Sequence, residues 1–153
     1  MMGRREFLIG SMGLGLLASC GPAGPAGPGT VTVVANGTAG MNPGADGADR
    51  PLTLQIVQLS GAGAFDSADF FTLQTPDSAL GADLVKADQI ALPPGGTASK
   101  TIGLEAGVMI IGVIAGYRDP GGKVFRAKTS VAATDVVTLQ VTVGPSGITL
   151  ARG

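Results

Sequence analysis

The chain predicts a mainly β protein, one antiparallel β-sandwich with one or two short added helices, carried behind an export leader. Three observations predict it. From Thr30 onward, apolar and β-branched residues alternate with period two and are cut at short intervals by glycine and proline, the pattern of short strands and their turns. Between Phe65 and Leu80 that period gives way to a spacing that suits only short helices. Ahead of the domain, the single cysteine of the 153 residues directly follows a short apolar run.

That leader has a charged start, Arg4-Arg5, and an apolar stretch from Phe7 to Ser19, the proportions of a signal peptide. A membrane-spanning helix needs about 20 apolar residues, and Gly10, Gly13 and Gly15 further weaken a helix here. Leu17-Ala18-Ser19-Cys20 reads as a lipobox, so cleavage leaves Cys20 as the first residue, carrying covalent lipid. The competing reading is an unlipidated leader or a chance buried cysteine. Gly3-Arg4-Arg5-Glu6-Phe7-Leu8-Ile9 resembles the twin-arginine export signal but departs from it at Gly3 and Ile9, which leaves the route open between that and general secretion. The predicted organisation is a signal peptide over 1–19, a lipidated tether over 20–29 and a sandwich over 30–153.

In the tether, Gly21-Pro22-Ala23-Gly24-Pro25-Ala26-Gly27-Pro28-Gly29 has the glycine period of collagen but too few triplets for a triple helix. Extended at about 3.1 Å per residue, it spans roughly 28 Å. Thr30 to Ala35 is the first strand. Leu52 to Leu59 is the second, with Leu52, Leu54 and Ile56 on one face. Phe65, Ala68, Phe70, Phe71 and Leu73 suit a short helix capped near Asp66 or Ser67, its phenylalanines assigned to the core. Pro76 to Leu80 begins a second, ended by Gly81. Leu84 to Leu92 is a weaker strand stopped by Pro93-Pro94-Gly95-Gly96. Strands follow at Lys100 to Glu105, Val108 to Tyr117, Val124 to Val131, Val136 to Val143 and Ile148 to Leu150. Val108 to Ala115 is apolar on both faces, which places it centrally, with Gly112 and Gly116 allowing close backbone approach.

Composition excludes several functions. Without Arg4, Arg5 and Glu6, the 10 basic and 11 acidic side chains become 8 and 10, a formal charge of −2, so no nucleic-acid partner is expected. The chain has no histidine, which removes the usual general base, the triad imidazole and the commonest zinc ligand together. With Cys20 committed to lipid, no thiolate remains for a metal or a disulfide. The expectation is therefore no enzyme activity and no cofactor beyond the lipid.

One segment stands out. Asn36 to Arg50 separates two strands by fifteen residues, four of them glycine, far longer than a hairpin needs; such a length marks a binding loop or an unconstrained insertion without a partner, and the glycines predict a mobile segment. Asn42, Asp46 and Asp49 miss the alternating calcium-loop spacing, so metal is not expected. Gly61-Ala62-Gly63-Ala64-Phe65 lacks the last glycine and the βαβ setting of a dinucleotide site and reads as a turn. Tyr117-Arg118-Asp119-Pro120-Gly121-Gly122 reads as a turn with an Arg118–Asp119 surface pair.

Four stretches, in this order, carry a resemblance: Leu54 to Leu59; Phe65 to Leu73; Leu80-Gly81-Ala82-Asp83-Leu84; and Ile111 to Asp119 followed by Phe125-Arg126. With the lipobox they resemble the TssJ family, the outer-membrane lipoprotein of the type VI secretion system. Phe125 stands where tryptophan is commoner in the family. The resemblance implies a transthyretin-like sandwich, anchored through Cys20 at the periplasmic face of the outer membrane. It implies docking to the periplasmic carboxy-terminal region of TssM through the loop between the first two strands. By position, Met41, Asn42, Pro43, Asp46, Asp49 and Arg50 are the candidate contacts. Gly21, where aspartate signals inner-membrane retention, is consistent with the outer membrane. The alternative is a periplasmic lipoprotein whose sandwich binds a small molecule or glycan, for which no tryptophan and one tyrosine leave little stacking surface.

Overall fold

The computed structural model describes residues 27–153; the signal peptide, Cys20 and the tether up to Ala26 lie outside the described residues. Two four-stranded sheets pack face to face. The first orders β4 (Thr97–Gly103), β1 (Thr30–Gly37), β7 (Val136–Gly144) and β8 (Gly147–Arg152). The second orders β3 (Leu84–Leu92), β2 (Leu52–Leu59), β5 (Ile110–Ala115) and β6 (Arg126–Ser130). Strand pairing is antiparallel, as expected, except that β1 and β7 run parallel, with Thr30 opposite Val136 and Gly37 opposite Val143. A parallel pair needs a long crossover, and here the crossover is everything between the two strands, including the whole second sheet.

Alternation decides the interior. Val31, Val33 and Ala35 of β1, Leu139, Val141 and Val143 of β7, and Leu52, Leu54 and Ile56 of β2 all point between the sheets into one buried cluster. Burying a side chain of this size contributes about 1.5–3 kcal/mol. The opposite phase of β2 and β5 is apolar for a different reason. Val57, Leu59 and Ile114 lie beneath a layer of short helices and form a second cluster with Phe65, Leu73 and Leu80. β5 is thus central within its sheet and covered on both faces, as its composition predicts.

The helical layer differs from expectation in two respects. The single helix expected over Phe65 to Leu73 is two, α1 (Gly63–Ser67) and α2 (Phe70–Leu73), because Ala68 is extended and Asp69 starts a new turn by accepting from the Thr72 N–H. α3 (Pro76–Leu80) ends at Gly81, whose φ of 51° favours glycine. The three phenylalanines are not all core. Phe65 is buried and Phe70 is partly covered, edge-on to Phe125, whereas Phe71 is 76% exposed. A four-residue helix has only one face to bury, and Leu73 takes it.

Gly112 permits the close approach of this layer, since a Cβ there would lie 2.7 Å from Phe65 Cε2. Arg126 Nη1 donates to the carbonyls of Phe65 and Ala68, closing the carboxyl end of α1, and Lys128 pairs with Asp66. Both contacts fasten the layer to β6.

The connections sort to two ends of the sandwich. The start of β1 at Thr30 shares an end with the β4–β5 and β6–β7 connections, Gly29 N donating to Ala133 O and Leu104 N to Gly29 O. The end of β1 at Gly37 shares the opposite end with the starts of β2 and β8 and with the β3–β4 and β5–β6 connections. The tether therefore enters at one end and the long loop occupies the other.

Candidate docking surface

The loop after β1 is glycine-rich, and its composition suggests a mobile segment. It is instead tied throughout. Thr38 N donates to Val143 O, Met41 N to Thr38 O and Arg50 N to Asn42 O. Gly44 N donates to Ala48 O, so Pro43 and Asp49 face each other across a short antiparallel bridge. The turn between them closes with Gly47 N on Gly44 O, at a Gly47 φ of 83° that glycine adopts without strain.

The six candidate side chains separate into two groups. Met41 is fully buried in the inter-sheet core, where it lies against Gly37. Asn42 is only 4% exposed and bridges two connections. Its Nδ2 donates to Pro51 O at 3.0 Å, and its Oδ1 accepts from the Arg118 backbone N–H at 2.9 Å. Met41 and Asn42 thus act as the root of the loop, with their side chains turned inward. Asp49 also serves the backbone, accepting from Gly40 N at 2.8 Å and Asn42 N at 3.2 Å. What faces solvent is the tip: Pro43 in part, and the exposed Asp46 and Arg50, paired at 3.0 Å. Asp46 Oδ1 additionally accepts from Ala48 N. An exposed pair of this kind contributes about 0–1 kcal/mol, so both charges are free to re-pair with a partner at little cost.

Sequence reading missed how the β5–β6 connection joins this surface. Arg118 and Asp119, expected to pair with each other, bond to other groups instead. Arg118 gives its backbone N–H to Asn42, and Asp119 Oδ1 accepts from Gly121 N. Tyr117 is buried, and its hydroxyl donates to Gly144 O at 2.9 Å, linking this connection to the β7–β8 hairpin. Burial pushes the Tyr117 phenol up to about 12. Lys123 Nζ stands 5.6 Å from the centre of its ring.

Among the described residues there is no cluster of three metal-ligating side chains, and no helix is long and apolar enough to cross a membrane. Asp49 and Asp119 accept from backbone N–H groups and Asp46 pairs with Arg50, an arrangement suited to presenting a shaped surface.

Residues 29–146 match the family model described as type VI secretion lipoprotein, VasD, EvfM, TssJ, VC_A0113. The chain belongs to this family. Its fold is similar to the crystal structure of the T6SS lipoprotein TssJ1 from Pseudomonas aeruginosa, at 30% identity and a TM-score of 0.74, covering 83% of this chain and 98% of that one. It is similar to Serratia marcescens Lip, a membrane-bound component of the type VI secretion system, at 26% identity and a TM-score of 0.74, covering 82% and 98%. A structure described as the T6SS protein TssM C-terminal domain from EAEC shares the fold at 21% identity and a TM-score of 0.62, covering 80% and 97%. No protein of curated function matches the chain. The family is one of type VI secretion lipoproteins, as the resemblance implied.

Proposed function

We propose that this lipoprotein hangs from the periplasmic face of the outer membrane by acyl chains on Cys20 and docks the periplasmic carboxy-terminal region of TssM through the tip of the β1–β2 loop. The observation that carries the reading is the placement of tether and loop at opposite ends of the sandwich. β1 alone, eight residues at about 3.3 Å each, sets them about 26 Å apart. The end farthest from the anchor is therefore the end with the built loop, which suits a partner reaching across the periplasm. A mature lipoprotein carries several acyl chains, and each buried methylene contributes about 0.8 kcal/mol, so attachment is durable where one chain is marginal.

The loop supports docking because it is already organised. A partner that meets a preformed surface spares the cost of ordering flexible chain. Pro43, Asp46 and Arg50 are the contacts at the tip, and Met41, Asn42 and Asp49 hold it in shape.

Replacing residues 44–48 by two glycines, together with Pro43→Ala and Arg50→Ala, keeps Met41, Asn42 and Asp49 at the root while removing the contacts at the tip. The expected result is unchanged secondary structure and at least a tenfold weaker complex with the purified TssM periplasmic region, measured by calorimetry. An unchanged Kd overturns the loop assignment. Palmitate labelling of the full chain, lost in Cys20→Ser, tests the anchor separately.

A further inference from the structure

Beside the loop lies a surface notch of about 270 Å³ between the β7–β8 turn and the strand entering β6. Thr38, Val124, Thr142, Pro145, Gly147 and Ile148 line it. Its walls are held by backbone. Val124 forms a parallel bridge with Gly147, its N–H donating to Ser146 O and its carbonyl accepting from Ile148 N. Gly147, at a φ of 137°, leaves no room for a Cβ, which would meet the backbone of Val124. The Val124 side chain is 56% exposed at the rim, an apolar group open to solvent.

Resting on the docking reading above, we propose that this notch receives one large apolar side chain, such as leucine, methionine or phenylalanine, from the same TssM segment that meets the loop tip. Three observations select this occupant. The notch is continuous with the loop: Thr38 belongs to both, and a Cβ on Gly40 would lie 3.7 Å from Pro145 Cβ. No aromatic or charged side chain lines it to orient a metabolite. An uncharged recess at the foot of the loop that carries the charged Asp46 and Arg50 resembles the apolar centre and polar rim of protein interfaces, where one buried anchor carries much of the affinity.

The test measures the Kd of the purified domain, residues 20–153, for the TssM periplasmic region in four forms: unaltered, Val124→Asp, Thr142→Trp and Val136→Asp. Val124→Asp puts a charge at the mouth of the notch, Thr142→Trp fills it from an exposed position, and Val136→Asp is a control at an exposed valine near the tether. The expected result is a tenfold or greater loss of affinity for the first two variants, none for the control, and unchanged thermal midpoints for all three. If the unaltered domain binds and both notch variants bind equally well, the notch is overturned while docking stands. If the unaltered domain does not bind, the docking reading falls and takes the notch with it.

Discussion

At the tether end of the sandwich the buried amide of Gln58 joins one sheet to the other, whereas at the loop end the buried amide of Asn42 joins one loop to another. Gln58, fully buried on β2, donates from Nε2 to Gly103 O at the end of β4 and accepts at Oε1 from Glu105 N. Asn42 donates to Pro51 O and accepts from Arg118 N, fixing the β1–β2 loop against the β5–β6 connection. Similar chemistry serves different ends. Breaking the first loosens the fold, while breaking the second loosens only the surface that the fold presents.

The largest effect belongs to Gln58→Leu. It removes both hydrogen bonds of a fully buried side chain, and each group left without its partner costs about 1–3 kcal/mol. The expected loss is on the order of 3 kcal/mol, read as a lower urea midpoint. Affinity for the TssM region should be unchanged at temperatures where the variant stays folded. A parallel loss of affinity would erase the distinction between the two ends.

Asn42→Ala sharpens the comparison from the other side. Pro51 and Arg118 belong to exposed connections, where water partly replaces the amide, so the stability loss is about 1–2 kcal/mol. The loop, however, loses the contact that fixes it against its neighbour, and a partner then bears the cost of ordering it. The expected outcome is a modest drop in thermal midpoint with a several-fold weaker complex. A variant that unfolds as readily as Gln58→Leu would mean that Asn42 serves the core after all.

The two amides also differ in how visible they are in the chain. Gln58 continues the inward phase of Leu52, Leu54 and Ile56, and a polar residue in that phase is itself a signal of a satisfied buried group. The strands were legible for the same reason, because one period-two rule fixes both the element and its buried face. The helical layer was legible as an interruption but not in detail. Whether Phe71 is buried depends on the break at Ala68 and Asp69, which is a matter of one residue's backbone. Asn42 carried no such signal. It lies in a stretch without period, and its partner Arg118 is distant in sequence, so only the folded chain brings them together. The composition of the loop misled for a related reason. Its glycines mark turn positions such as Gly40 and Gly47, both at positive φ, in a segment that backbone hydrogen bonds hold in place.

The smallest effect probes the third tie at the loop end, the Tyr117 hydroxyl on Gly144 O. Tyr117→Phe removes one hydrogen bond, about 0.5–1.5 kcal/mol at neutral pH. Its clearer signature is in alkali. Burial holds the phenol neutral up to about 12 in the folded chain, against about 10 when unfolded. The unfolded state therefore releases its proton first as pH rises. The contribution of the buried phenol is fully present below pH 10 and is lost as pH climbs from 10 to 12. Measured by urea titration across that window, the unaltered domain should lose its advantage over Tyr117→Phe. Two stability curves that stayed parallel from pH 9 to 12 would show that the phenol ionises as readily in the folded chain as in the unfolded one, so that its burial does not set the alkaline limit of this end.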